Sequence, residues 1–264
     1  MNQFLTNLIL AFVTGSLWVI LTTAIAEKFG SKIGGAIGGL PSTVVITIFF
    51  IGLVESTDVA VQATTMQPLF LSFSGLFLVV YALMAKYGPF KAIAAGIAVW
   101  FVLAFIAVAV GYENYAVSLM ICLLILLMSY YIFEKKLKIK SSKGIKVRYT
   151  PLQILARAAI SGAIIVFAVF ASRLGGPVFG GMFSVFPAMY SSTMIITHLY
   201  RGPKISAALA KTLLVTGVIN VAVYSGAVRY FYPVLGLVFG TLAAFGISLV
   251  SGYLTYKFII KKMD

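Results

Sequence analysis

Polar residues are spaced so widely along this chain that the apolar intervals between them carry the first message. Apolar stretches of about 20 residues recur from end to end, the length a helix needs to cross a hydrocarbon core. The pattern predicts nine helices, over residues 4–26, 33–54, 66–86, 90–111, 115–133, 152–172, 178–200, 204–226 and 233–257, with 57–65 as a further turn of the third. One long polar connection stands out, "EKKLKIKSSKGIKVR" at 134–148. It divides the chain into 1–111, a linker helix and basic loop at 112–150, and 151–264. The expected fold class is all-α, a polytopic membrane protein whose first partner is the lipid bilayer.

Composition sharpens this reading. The 264 residues are 61% hydrophobic and 10% charged, with a mean hydropathy of +1.07. Soluble domains are about 45–50% apolar, and a soluble fold this apolar would expose large sticky patches. The formal charge of +14 would suggest nucleic acid in a soluble protein. Here the basic residues sit at the ends of apolar runs, which points to topology and away from nucleic acid. A single cysteine, Cys122, excludes a disulfide framework, and one histidine beside it makes a zinc or iron site a poor expectation; no cofactor is implied. The start "MNQFLTNLIL" lacks a basic n-region, so the first run reads as a retained helix.

Placing the 134–148 connection in the cytoplasm fixes the direction of every helix, with the N-terminus outside and the C-terminus inside. Eighteen of the 20 basic residues then fall inside, leaving Arg173 and Arg229 outside with Glu55, Asp58 and Glu113. This sorting suits a prokaryotic inner membrane.

Two phrases repeat. "GSKIGGAIGGLPST" (30–43) and "GPVFGGMFSVFPA" (176–188) align at an offset of 146, matching Gly34-Gly35 to Gly180-Gly181, Pro41 to Pro187 and Thr47 to Thr193. Helices one to four then correspond to six to nine. An odd number of crossings between the copies would set the second upside down, giving two inverted-topology repeats around helix five. Glu55 and its counterpart Arg201 carry opposite charges at ends expected on opposite sides.

The second half, through "FGGMFSVFPAMYSSTMIITHLYRGPKISAALAKT" and "GISLVSGYL", resembles the GlpM-like small integral membrane proteins over residues 178–255. Those share a Gly-rich start, a Phe-Pro in the next helix and a basic turn before an Ala-rich helix. The first copy departs in having Leu40 where Phe186 stands. The resemblance implies an integral membrane fold and location, and no activity.

Pro41 and Pro187 lack an N–H and would clash with the carbonyls of Ile37 and Phe183, so each breaks or kinks its helix. Both fall near mid-bilayer, where freed backbone groups need protein, water or a ligand. Matching interruptions in inverted halves are a sequence pointer to a transporter site. The candidate binding residues are Pro41, Ser42, Thr43, Pro187, Tyr190, Ser191, Ser192, Thr193, Lys211 and Asn220. Gly30, Gly34, Gly35, Gly180 and Gly181 read as close-packing positions. Arg157 reads as a snorkelling cation, Lys211 as either a snorkelling cation or part of an anion-attracting vestibule, and His198 as interfacial.

No Asp or Glu lies inside a predicted span, which disfavours metal-cation transport and carboxylate-based proton coupling. No P-loop, HExxH or paired-carboxylate set occurs, and "YSSTMIITHLY" has no nearby acid to complete a triad, so the chain is not expected to be an enzyme. The leading expectation is a carrier for a small polar or anionic solute. A non-transporting scaffold or partner subunit, and a channel, are the alternatives. The sequence leaves a homo-oligomer open.

Overall fold

A computed structural model describes residues 3–139 and 149–263, without the side chains of residues 26 and 28–38. Most of the basic connection, the side chains of Lys28 and Lys32, and the packing role expected of Gly30, Gly34 and Gly35 therefore lie outside the described residues. The described chain is helical, with no strand among the described residues. The helices are α1 (Gln3–Gly38), α2 (Ser42–Val54), α3 (Thr57–Ala63), α4 (Gln67–Met84), α5 (Pro89–Val110), α6 (Tyr115–Tyr131), α7 (Pro151–Gly175), α8 (Pro177–Ser184), α9 (Ala188–Arg201) and α10 (Pro203–Phe258).

Seven helical segments among the described residues are long and apolar enough to cross a membrane, consistent with an integral membrane protein. That number differs from nine for identifiable reasons. At 13 residues, α2 spans only about 20 Å, too short to cross alone. Conversely, α10 runs 56 residues but doubles back at Gly236, whose φ of 71° and ψ of −178° are not helical. The Ser251 hydroxyl reaches Asn220 Oδ1 at 3.2 Å, whereas a straight helix would separate the two residues by roughly 46 Å. Helix α1 also ends in a reversal. Ile46 lies at van der Waals distance from Gly15, which a straight run to Gly38 would prevent, so the chain turns back between them.

Glycine followed by proline sets three of the reversals. Gly88, Gly176 and Gly202 have φ of 103°, 92° and 82° with ψ of 155°, 171° and 172°, each followed by a proline in the first turn of the next helix. This extended positive-φ region is open essentially to glycine alone, and proline's fixed φ suits the first helical position.

Two antiparallel pairs build the centre. Helices α1 and α7 touch along their length: Arg173 stacks on Phe4 at 4.1 Å, Ser16 Oγ donates to the Ala158 carbonyl, and the Tyr149 N–H donates to Glu27 Oε1 at 2.6 Å. Gly162 admits Ser16 and Phe12 so closely that a Cβ there would collide with both. The first arm of α10 runs antiparallel to α4, joined by Tyr81–Ser206 at one end and Gln67–Ser225 at the other, each at 2.6 Å. Apolar side chains fill the interior and also cover the outside: Ile48, Phe70, Phe77 and Trp100 are buried, Val102, Phe105, Ile106, Leu123, Leu124, Leu127, Leu152 and Val238 are exposed, and Ser72, Ser74, Gln67, Thr216, Asn220 and Ser225 are buried. This polarity suits a lipid surround, where apolar side chains face the solvent and polar groups find partners inside.

Candidate functional site

Both prolines stand where a helix is interrupted. The chain leaves helical geometry after Gly38 and after Ser184, and resumes at Ser42 and Ala188. The two returns match closely. Pro41 has φ −75° and ψ 48°, Pro187 φ −77° and ψ 37°. The Ser42 N–H donates to the Leu40 carbonyl at 2.7 Å and the Ala188 N–H to the Phe186 carbonyl at 2.8 Å. Neither α2 nor α9 receives a side-chain cap, so first-turn N–H groups and the positive dipole end are left at each start.

The two interruptions face one cavity of about 50 Å³. Gly39, Leu40, Pro41, Thr43 and Val44 line it from the first interruption, opposite Val185, Phe186, Pro187, Met189 and Tyr190 from the second. These ten form five pairs separated by 146 positions. Ser42, Leu71, Ser184 and Val221 complete the wall.

The carbonyls freed by each interruption are held from elsewhere. Asn220 Nδ2 donates to the Gly39 carbonyl at 3.3 Å, and Ser74 Oγ to the Val185 carbonyl at 2.7 Å. Asn220 is anchored by Ser251, and Ser74 accepts from Trp100 Nε1 at 2.9 Å. A buried amide network flanks the cavity: Gln67 Nε2 donates to Ser184 Oγ at 2.7 Å and Gln67 Oε1 accepts from Ser225 at 2.6 Å. Close backbone approaches keep the wall tight. The Tyr190 hydroxyl sits where a Cβ on Gly217 would be, Gly39 lies against Thr216, and Gly181 lies against the Ala63 carbonyl. Gly181 is thus a packing position, as its sequence context suggested.

Pro41, Ser42, Thr43, Pro187 and Tyr190 therefore converge on the cavity, while Ser191, Ser192, Thr193, Lys211 and Asn220 do not line it. Ser191 Oγ donates to the Pro187 carbonyl, and Ser192 and Thr193 donate to the Met189 carbonyl, satisfying their own helix. Asn220 acts one layer back, on the Gly39 carbonyl.

Lys211 is fully buried, 2.6 Å from Glu134 at the end of α6, and donates to the Ile139 carbonyl at 2.9 Å. It joins α10 to the segment after α6 and presents no free charge to a vestibule. Arg157 departs from snorkelling: only 6% exposed, it turns onto α9, where Nη1 donates to Ser192 at 3.1 Å and Thr193 at 2.8 Å. Sequence reasoning missed Gln67, Ser74 and Trp100. A lone amide opening the apolar run "QPLFLSFSGLF" was the available signal for Gln67; serine in a membrane helix is too common to mark Ser74.

Residues 8–113 match a family described as a protein of unknown function, DUF3147. The match falls on the first half of the chain, away from the 178–255 stretch that resembles GlpM-like proteins. No curated protein and no solved structure matches the chain.

Proposed function

We propose that this protein is a carrier for a small polar or anionic solute, built from two inverted repeats whose broken helices meet at the central cavity. The observation that carries the reading is the convergence of both proline interruptions on one cavity, with two uncapped helix starts facing it. Uncapped N–H groups at membrane depth suit a polar or negative ligand.

Three relationships support the inverted repeat. The hydrogen bonds from Ser74 and Asn220 interchange under a shift of 146 positions. Ser16 and Gly162, also 146 apart, touch each other, as residues near a two-fold axis do. The equivalent helices α1 and α7 run antiparallel, as an axis in the membrane plane requires. The family match, 8–113, is about one repeat long. Counting α1 before its reversal as one crossing, the end of α1 with α2 as a second, α8 with α9 as one, and each arm of α10 as another gives nine crossings, with the N-terminus outside, in a prokaryotic inner membrane. Transport would rock one repeat against the other and open the cavity to either side in turn.

The test is flux. Full-length protein in liposomes, challenged with panels of small organic acids, inorganic oxyanions and neutral polar solutes, should carry at least one class above protein-free liposomes, with saturation at low concentration. Pro41→Ala and Pro187→Ala should lower that flux. No flux for any class would remove the carrier reading. Flux without saturation would make the pathway a channel.

A cavity of about 50 Å³ holds roughly one or two water molecules, far below the about 300 Å³ of a small ligand site. In the carrier reading this is a closed conformation between two open ones. The same volume favours the second reading, a membrane scaffold with a filled midplane, and the absence of flux together with unaltered packing of Pro41→Ala would support it.

A further inference from the structure

We infer that Arg157 is the residue that holds the negatively charged group of the solute, and that this group is a small oxyanion, a carboxylate or a phosphate. The inference deepens the carrier reading and rests on it for the cavity being the solute's route.

Arg157 lies two turns into α7 and is 6% exposed. Its partners among the described residues are neutral: Ser192, Thr193, the Met189 thioether at 3.9 Å, and the face of Tyr149 at 4.8 Å. Nε is buried and has no hydrogen-bond partner. No carboxylate pairs with it among the described residues. The contrast with Lys211 is direct, since that buried cation has Glu134 beside it. Burying a charge in an apolar surround is strongly unfavourable unless an opposite charge compensates it. For Arg157 the described residues supply none, and the missing charge is the one a ligand would bring.

Placement and geometry point to the same ligand. The Met189 sulfur touches the guanidinium and Met189 is also among the residues that line the cavity, so one residue is in contact with both. Ser192 and Thr193 direct their own hydrogens to the Met189 carbonyl and accept from Nη1. They bond one side of the guanidinium; on the other edge Nε has no hydrogen-bond partner and Nη2 has only the weakly accepting Met189 sulfur among the described residues. That edge offers two parallel N–H donors, the arrangement an oxyanion takes bidentately. The uncapped start of α9, one turn from Ser192, adds its dipole to the same place.

The test is anion-dependent stability of the full-length protein in a non-ionic detergent. Sodium acetate and sodium phosphate, each compared with sodium chloride at equal ionic strength, should raise the unfolding temperature saturably. Arg157→Gln should abolish the rise, and Arg157→Lys should move half-saturation about tenfold higher, because an ammonium cannot bind side-on. Should Arg157→Gln fail to fold, Ser192→Ala with Thr193→Val, which releases the guanidinium, should weaken the response similarly. Dihexanoyl phosphatidylglycerol in the same titration separates a lipid headgroup from a free anion. A response to that lipid alone overturns the inference, as does no response beyond chloride or a response unchanged in the variants. A neutral solute carried equally well by Arg157→Gln overturns the inference and leaves the carrier standing. Saturable anion binding without flux does the reverse.

Discussion

Ser74 and Asn220 stand 146 positions apart and do the same job on opposite sides of the cavity. Ser74 donates to the Val185 carbonyl and Asn220 to the Gly39 carbonyl. The two carbonyls are themselves 146 positions apart, so each half of the chain closes the gap that the other leaves. Removing either donor strands a buried acceptor, which costs about 1–3 kcal/mol. Ser74→Ala and Asn220→Ala should each lower the denaturation midpoint of the detergent-solubilised protein by a comparable amount. A change within ±0.5 kcal/mol, typical of a surface substitution, would show that neither carbonyl depends on its donor.

Gly217 and Tyr190 form a contact with no spare room, since a Cβ on Gly217 would overlap the phenolic oxygen. Gly217→Ala should destabilise by about 1–3 kcal/mol, the usual cost of overpacking. Combined with Tyr190→Phe it should cost less than the two single changes added together, because the obstructing oxygen is gone. Additive losses would mean that the crowding lies elsewhere.

Glu134 and Lys211 make an ion pair with unequal ends, the lysine fully buried and the carboxylate one-third exposed. Glu134→Gln leaves an ammonium buried beside the Ile139 carbonyl, whereas the double change Glu134→Gln with Lys211→Met leaves no charge at all. The double variant should therefore be more stable than Glu134→Gln alone, by about 1 kcal/mol or more. Equal stability in thermal unfolding would mean that Lys211 escapes to the interface when its partner is lost.

Glu55 and Arg201 stand 146 positions apart and are both exposed. In a Cys122→Ala background, Glu55→Cys and Arg201→Cys should react with a membrane-impermeant maleimide from opposite sides of the membrane. Reaction of both from one side would end the inverted-repeat reading, whatever the solute.

Much of this architecture is legible in the chain, because lipid makes apolar length a direct record of helix length. The two prolines are legible for a similar reason: an interruption follows from a missing N–H wherever Pro41 and Pro187 sit. The destinations of side chains are less so. Ser192 and Thr193 follow Pro187 closely enough to suggest a ligand-facing turn, yet helical rotation carries them onto Arg157 instead. Lys211 and Glu134 are 77 residues apart, and only the packing of α6 against α10 brings them together. The reversal within the 56-residue α10 is legible as the break between the helices predicted over 204–226 and 233–257, but its position is not. The pattern sets the break at 227–232, around Arg229, whereas the chain turns at Gly236, and it does not show the hairpin contacts that join Asn220 to Ser248 and Ser251.

The partner of the Gly39 carbonyl lies 181 residues downstream. A ribosome making this protein therefore delivers the first gap long before the amide that seals it, and at about 5–20 residues per second the interval is on the order of ten seconds or more. During that time the nascent first half sits in the bilayer with an unsealed seam, and the last third of the chain works as its closing clasp. Assembly is consequently tied to completion of translation: a product truncated before Asn220 carries an open polar gap at membrane depth, a feature by which quality control can tell an unfinished chain from a finished one.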